Sequence, residues 1–346
     1  MSKYVSKKNQ IKGNLFILAL MAITIYAFLR GYTIGELIDV LKNVRPFYLL
    51  AGLSMMVLYI VCQAIIFNMI LEVFKQPVSF RSCLEYSYIG YYFGSITPGA
   101  SGGQPAQMYY MSKDKIPVAC SSITVFLMVF AYQIAMVLFS GLMTILRFDI
   151  AVQVVSKLNY LLIIGSVITV GIIIFLFSAM YSRKMVPYLM CLGVKLGEKL
   201  HLVKNPEKIH EKLQQTINSY HDKSDVLSKH PILLIKVLLV TLVELAATNM
   251  VSYLVYLGMG YREYGALNLM TSQSLLNISL AAVPLPGSVG VAEDVFLKIF
   301  STYYPAEVLP SAMILSRVVN FYLPLFISFV VYLFAHVRIM KHAKKK

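Results

Sequence analysis

Residues 46–71 read PFYLLAGLSMMVLYIVCQAIIFNMIL, a run without a single Lys, Arg, Asp or Glu. A helix needs about 20 apolar residues to cross the hydrocarbon core of a membrane, so this run predicts a transmembrane helix. Two further runs, 237–261 and 308–337, contain one charged residue each, Glu244 and Arg317. Three more contain none: 13–29, 116–146 and 158–182. Together the runs predict six spans.

The composition agrees with a membrane protein. Hydrophobic residues make up 58% of the 346 residues and charged residues only 14%, whereas soluble domains have about 25% charged residues. The net charge of +15 would suit nucleic-acid binding, but the basic residues flank the apolar runs, where they set topology. We therefore expect an all-α polytopic integral membrane protein, a single membrane domain over 1–346, and no nucleic-acid partner.

Motifs for catalysis or metal binding are absent from the sequence. The four cysteines are not arranged in CxxC pairs, and the six histidines are dispersed, so neither a metal site nor a disulfide framework is predicted. No P-loop, HExxH or Ser/His/Asp pattern occurs, so we expect no catalytic residues and no cofactor. The first span, 14–30, follows a basic region without a small-residue cleavage site, which predicts a retained helix.

Two more apolar segments, 81–112 and 264–301, are broken by proline and glycine. The first breaks at 97–105, TPGASGGQP, and the second at 283–290, VPLPGSVG. Proline removes a backbone donor and glycine favours non-helical dihedrals, so a straight helix cannot continue. After each break about ten apolar residues remain, too few to span. Each segment is therefore predicted to be a re-entrant helical hairpin.

The two breaks share a motif, PGxxG, which begins at Pro98 and again at Pro286. A span precedes and follows each hairpin, which gives a first repeat over 46–147 and a second over 231–338. The span 158–182 stands between them. Inverted repeats with broken helices at matching positions are typical of transporters whose site lies near the membrane midplane.

The basic residues predict the orientation. The N-terminal region, the segment 183–230 and the tail 339–346 are rich in Lys and Arg, which places both termini on the cytoplasmic side of the cell membrane. If each hairpin returns to the side of the membrane from which it enters, six spans make the two hairpins enter from opposite sides. The segment 183–230 alternates charged and apolar residues, which predicts an amphipathic helix bound to anionic inner-leaflet lipid.

Charged side chains inside a membrane are costly unless paired or hydrated, so they mark candidate functional sites. Glu293 and Asp294 start the half-helix after the second motif, where helix capping is the simpler interpretation. Arg317 lies roughly 15 Å into the last span, and we expect it to pair with Glu293 or to bind a lipid phosphate. Glu244 is the next candidate, in a water-filled cavity or a proton path.

The half-helix after the first motif is expected to present free N–H groups to an anion such as a phosphate headgroup. The full predicted substrate-binding set is Pro98, Gly99, Gly102, Gly103, Gln104, Gln107, Pro286, Gly287, Gly290, Glu293, Asp294, Arg317, Glu244 and Asn320. Four more amides would give either a polar lining or helix–helix hydrogen bonds: Gln133, Asn249, Gln273 and Asn277.

Residues 97–105 and 286–293, together with Arg317, resemble the lysylphosphatidylglycerol synthase transmembrane family, the flippase-like region of the multiple peptide resistance factor. The resemblance covers nearly the whole chain. It implies a flippase that moves lysyl-phosphatidylglycerol or a related glycolipid between leaflets, and with it resistance to cationic antimicrobial peptides. Gln104 stands where some relatives are expected to have an acidic residue.

Two alternatives stay open. The chain could be the membrane subunit of a phosphatidylglycerol lysyltransferase system, because no synthase domain follows the last span in this sequence. It could also be a secondary transporter of a small anion. A groove open to lipid would favour the flippase and a closed aqueous cavity the anion transporter. Assembly of two copies into a homodimer is compatible with the sequence.

Overall fold

The charge-free runs form long helices and the Pro-Gly breaks separate short ones in the computed structural model, which describes residues 44–181, Val226 and 229–344. In this part of the chain the secondary structure is helical. The α-helices are α1 Pro46–Val73, α2 Phe80–Ile96, α3 Gly103–Lys113, α4 Val118–Leu146, α5 Phe148–Tyr181, α6 Pro231–Gly258, α7 Ala266–Leu280, α8 Val291–Phe300, α9 Leu309–Arg317 and α10 Leu323–Lys344. A π-helix, Val318–Tyr322, joins α9 to α10.

Five helical segments are long and apolar enough to cross a membrane, and they coincide with five of the six predicted runs. They are Pro46–Val73, Val118–Leu146, Tyr160–Ala179, Pro231–Gly258 and Leu309–Arg338. The predicted first span, 14–30, lies outside the described residues, as does most of the predicted amphipathic segment 183–230. The chain is therefore a helical, multi-pass membrane protein.

Some helix boundaries differ from those of the predicted runs. Helix α5 begins at Phe148, ahead of the predicted span 158–182, and kinks at Leu158, whose φ is −130°. At the other end, α10 continues to Lys344, so the predicted boundary between span and tail at 339 is not a backbone break. No proline or glycine interrupts the last turns, and basic residues suit a helix C-terminus.

The two broken segments each form a pair of short helices. Helices α2 and α3 have 17 and 11 residues, and α7 and α8 have 15 and 10. At about 1.5 Å per residue none of the four covers a hydrocarbon core of about 30 Å. The spans before each pair, α1 and α6, both begin with a proline in the first turn, where its missing N–H costs no hydrogen bond.

The helix contacts repeat between the two halves of the chain. Helices α1 and α6, the first spans of the two repeats, make the most extensive contact among the described helices. Helix α2 packs against α1 and against α10 of the other repeat, while α7 packs against α6 and against α4 of the other repeat. Each short-helix pair thus contacts the first span of its own repeat and the last span of the other, so the two halves are interlocked.

Candidate functional site

The two PGxxG turns have the same backbone conformation. The two residues after the motif proline both have positive φ: Gly99 at 57° and Ala100 at 55°, and Gly287 at 56° and Ser288 at 52°. In each turn the fourth residue donates its N–H to the carbonyl of the motif proline, at 3.2 and 3.3 Å. Positive φ at both central positions defines a type I′ turn. The sequence repeat is therefore a structural repeat.

The two turns touch each other. Pro98 and Pro286 are paired in an isolated antiparallel β-bridge, although they lie in different repeats. The tips of the two short-helix pairs therefore meet at one point. Behind the second turn, a Cβ added to Gly287 would lie 2.3 Å from Cζ of Phe321, so this glycine is required by space as well as by its φ.

The second glycine of the motif has a different role in each turn. Gly102 has an ordinary φ of −83°, but a Cβ there would lie 2.6 Å from Cγ2 of Thr97, whose Oγ1 accepts the Gly102 N–H at 2.8 Å. Gly290 has a φ of 89°, and its N–H donates to Oε2 of Glu293 at 2.5 Å. These predicted anion-binding donors are thus already bonded to side chains of the chain itself.

Two residues of the predicted set, Gly103 and Gln107, hold the first helix pair together. A Cβ on Gly103 would lie 2.8 Å from the carbonyl oxygen of Gly90, so α2 and α3 cross at backbone contact. Gln107 is buried and donates from Nε2 to the carbonyl of Tyr86 at 3.3 Å. Both residues stabilise the helix pair, and neither lines the cavity described below.

Arg317 and Glu293 form the ion pair that the sequence suggested. Nε of Arg317 lies 2.7 Å from Oε1 of Glu293, and the two side chains are only 12% and 15% exposed. Nη2 of Arg317 also donates to the carbonyl of Gly287 at 3.0 Å, and the guanidinium stacks on the Phe321 ring. Since Glu293 also accepts from the Gly290 N–H, this pair fixes the second turn to the last span.

The last span changes to the π-helix directly after Arg317. Pro324 accounts for the change, because it has no N–H to donate to the Asn320 carbonyl four residues earlier and its ring crowds that carbonyl. The Asn320 carbonyl instead accepts a hydrogen bond from the Tyr91 hydroxyl at 3.0 Å. π-Helical turns occur frequently at functional sites. The proline is a sequence signal for this feature that charge-free runs alone do not reveal.

A cavity of about 400 Å³, partly open to the surface, lies between the two halves. Five of the polar residues singled out from the sequence line it: Gln133, Gln273, Asn277, Arg317 and Asn320. Oε1 of Gln133 and Oε1 of Gln273 are buried without a hydrogen-bond partner in the described part of the chain. An unpaired buried polar atom is costly, so two such atoms on residues of the cavity wall mark candidate ligand-binding positions.

Sequence reasoning missed the aromatic part of this cavity. Tyr59, Tyr91 and Tyr132 line it from α1, α2 and α4. Nothing in the sequence separates these three from the other 21 tyrosines, since a tyrosine inside a membrane protein is equally suited to the interface or to helix packing.

A chain of amides leads from the cavity into α6. Nε2 of Gln273 donates to Asn277 Oδ1 at 3.1 Å, Nδ2 of Asn277 donates to Asn249 Oδ1 at 3.4 Å, and Nδ2 of Asn249 donates to the Leu245 carbonyl at 2.7 Å. This order fixes the orientation of each amide. It leaves Oε1 of Gln273 as the unbonded end beside the cavity.

Glu244 lies behind the cavity wall. It is 2% exposed, and Oε1 accepts a 3.2 Å hydrogen bond from Nε2 of Gln63. The same Nε2 donates to the hydroxyl of Tyr59 at 2.7 Å, which connects the carboxyl to the cavity. Among the described residues no basic side chain pairs with it.

Asp294 and Gln104 are not brought to the cavity. Asp294 is exposed and pairs with Lys298 at 2.7 Å, one helical turn away, which is an ordinary interaction in the first turn of a helix. Gln104 lies in the first turn of α3 and does not line the cavity. The structure thus separates a turn-and-cavity group around Arg317 from residues that belong to local helix packing.

Comparison with protein families matches residues 14–328 to the lysylphosphatidylglycerol synthase TM region. A UPF0104 membrane protein of Archaeoglobus fulgidus is 24% identical over 317 residues, covering 89% of this chain and 92% of the relative. A UPF0104 membrane protein of Pyrococcus horikoshii is 23% identical over 317 residues, covering 89% and 93%. Because the family match extends over most of the chain, the protein belongs to the lysylphosphatidylglycerol synthase TM region family.

Proposed function

We propose that the chain is a lipid translocase that moves a phospholipid such as lysyl-phosphatidylglycerol, or a related glycolipid, between the leaflets of the cell membrane. The observation that carries the proposal is the cavity of about 400 Å³ with Arg317 in its wall. Arginine is the side chain best suited to hold a phosphate group, because its planar donors match the phosphate oxygens. Arg317 reaches the cavity next to the place where the two turns meet.

In this proposal the short-helix pairs are re-entrant hairpins that enter from opposite sides of a six-span topology with cytoplasmic termini. The near-identical turns and the exchanged helix contacts support this inverted arrangement. Inverted repeats alternate access by rocking one unit against the other around a fixed site. The isolated β-bridge between Pro98 and Pro286 is then the contact that opens and closes.

The walls of the cavity favour a lipid over a small hydrated anion. Besides the polar residues, the lining contains Met56, Met136, Leu276, Leu280 and Phe296. Apolar side chains stabilise acyl chains but offer nothing to replace the water shell of a small ion. Arg317 would hold the phosphate, and the free acceptors of Gln133 and Gln273 would bind hydroxyl or amine donors of the headgroup.

The test uses liposomes that contain the purified chain and headgroup-labelled phosphatidylglycerol in one leaflet. The expected result is that label appears in the opposite leaflet faster than in protein-free liposomes, and that Arg317→Ala removes the increase. Arg147→Ala is the matched control, because Arg147 pairs with the exposed Asp149 and does not line the cavity. A wild-type rate equal to that of protein-free liposomes overturns the proposal.

The name of the family favours a second candidate, a module that binds the acceptor lipid for a separate synthase. Such a module would bind phosphatidylglycerol through Arg317 without moving it. In the same liposomes, binding that depends on Arg317 with no change of leaflet identifies this second function.

A further inference from the structure

We propose that Glu244 is a proton-binding site of this chain, and that a proton on its carboxyl and a lipid phosphate in the cavity bind cooperatively. The inference rests on the proposed translocase function, since it names the ion that moves with the lipid. The surroundings of Glu244 differ from those of Glu293. Glu293 has a cationic partner at 2.7 Å, whereas the side chain of Glu244 accepts from one neutral amide among the described residues, that of Gln63.

A buried carboxylate without a cation is expensive in a low-dielectric interior, so the neutral, protonated form is favoured. Glu244 is 2% exposed, and one hydrogen bond from an amide offsets only part of the cost of burying a charge. The described packing therefore fits a carboxyl that holds a proton in this conformation and releases it when water reaches the site.

Among the residues that the structure describes, the titratable groups that face Glu244 cannot balance its charge. They are Tyr59 and Cys62 on α1 and Tyr132 on α4, and phenols and thiols are neutral near pH 7. Helix α7 has no titratable residue. The last span contributes Arg317 to the cavity, and this cation is already paired with Glu293.

Two contacts connect the proton site to the lipid site. Gln63 bonds to both Glu244 and the hydroxyl of Tyr59, and Tyr59 lines the cavity together with Arg317. Arg317 and Glu293 neutralise each other, so an ionised Glu244 would leave the region with one net negative charge. A phosphodiester would add a second. Protonation of Glu244 removes one of these charges, so phosphate and proton each raise the affinity of the site for the other.

Coupled movement of one proton with one lipid anion carries no net charge. Phosphatidylglycerol, with one negative charge and no amine, is the probe that shows this most directly. For such 1:1 cotransport a pH difference of one unit supports about a tenfold difference in lipid between the leaflets at equilibrium, because a tenfold concentration ratio is about 1.4 kcal/mol. The lipid accumulates in the leaflet that faces the alkaline side.

The experiment imposes that pH difference on liposomes containing the chain, with the membrane voltage clamped to zero, and measures labelled phosphatidylglycerol in each leaflet. Wild type is expected to give about a tenfold asymmetry, and Glu244→Gln is expected to exchange lipid without any response to pH. Glu72→Gln, at an exposed position near the end of α1, is the control and keeps the response. Equal amounts of label in the two leaflets of wild-type liposomes under the imposed pH difference overturn the coupling while leaving lipid exchange intact.

Infrared difference spectroscopy detects the protonated carboxyl group of Glu244 without a measurement of transport. A protonated carboxyl band is expected at neutral pH, absent in Glu244→Gln, and it should persist to higher pH when short-chain phosphatidylglycerol is added. A spectrum in which Glu244→Gln removes no such band overturns the proton site, whatever the liposomes show. If wild type moves no lipid at all, the translocase function fails separately.

Discussion

At the scale of single residues, the second turn depends on Glu293 using both carboxylate oxygens. Oε1 meets Arg317 at 2.7 Å, and Oε2 accepts the Gly290 N–H. Arg317 in turn bonds the Gly287 carbonyl. One carboxylate therefore caps a helix and neutralises a buried cation, so helix capping and ion pairing are both functions of a single side chain. A phosphate that binds Arg317 competes for part of this network.

The Arg317–Glu293 pair can be tested with a double-mutant cycle. Glu293→Gln leaves a largely buried guanidinium without a counter-charge, and Arg317→Gln leaves the carboxylate in the same position, so each single change destabilises the fold. The double change removes both charges, so its loss of unfolding free energy is expected to be smaller than the sum of the two single losses. The difference, the coupling energy, should be about 1–3 kcal/mol, measured by unfolding in mixed detergent micelles. Lipid translocation should stay absent in the double variant because the phosphate partner is gone. Additive losses would show that the two side chains do not interact.

At the scale of secondary-structure elements, proline and glycine determine where helices end, and their effects extend beyond the two motifs. Pro324 frees the Asn320 carbonyl, and Tyr91 of α2 then bonds to it. The π-helix is thus a contact between the last span and the first helix pair as well as a local irregularity. It lies at the cavity, which both Tyr91 and Asn320 line.

Replacing Pro324 with alanine should convert the π-helix to a regular α-helix, because the new N–H can donate to the Asn320 carbonyl. The expected result is a gain of about 1–3 kcal/mol in stability, since proline in a helix interior costs about 3 kcal/mol relative to alanine. We also expect slower lipid translocation as the Tyr91 contact is lost. Thermal unfolding and the liposome assay measure the two effects. Pro310→Ala is the control, because that proline lies in the first turn of α9 and displaces no hydrogen bond; similar gains in both variants would contradict the role given to Pro324.

At the scale of the whole molecule, the spans can be predicted from the sequence because a long run without charge is rare outside a membrane helix. The breaks can be predicted because PGxxG cannot continue a helix. The Arg317–Glu293 pair follows from the cost of charges in a membrane. The cavity tyrosines could not be predicted, since a neutral aromatic residue suits many positions. The sequence also predicted an anion site at the start of α3, which requires free N–H groups. The N–H of Gly102 is not free, because it donates to Oγ1 of Thr97.

The two copies of the PGxxG motif form the two sides of one contact in the molecule. Each turn closes one half of an interlocked pair, and the two turns meet at Pro98 and Pro286. Because alternating access moves one repeat against the other, this contact must open during each transport cycle if the cavity is the lipid path.

A reversible cross-link between the turns tests this central claim most directly. Residues paired across an antiparallel bridge have Cα atoms about 4.5–5.5 Å apart, which is suitable for a disulfide. Pro98→Cys with Pro286→Cys, in a chain whose four natural cysteines are replaced, is expected to form the disulfide on oxidation. Labelled-lipid translocation in liposomes should stop when the disulfide forms and return when it is reduced. Undiminished translocation by the fully cross-linked chain would contradict the account.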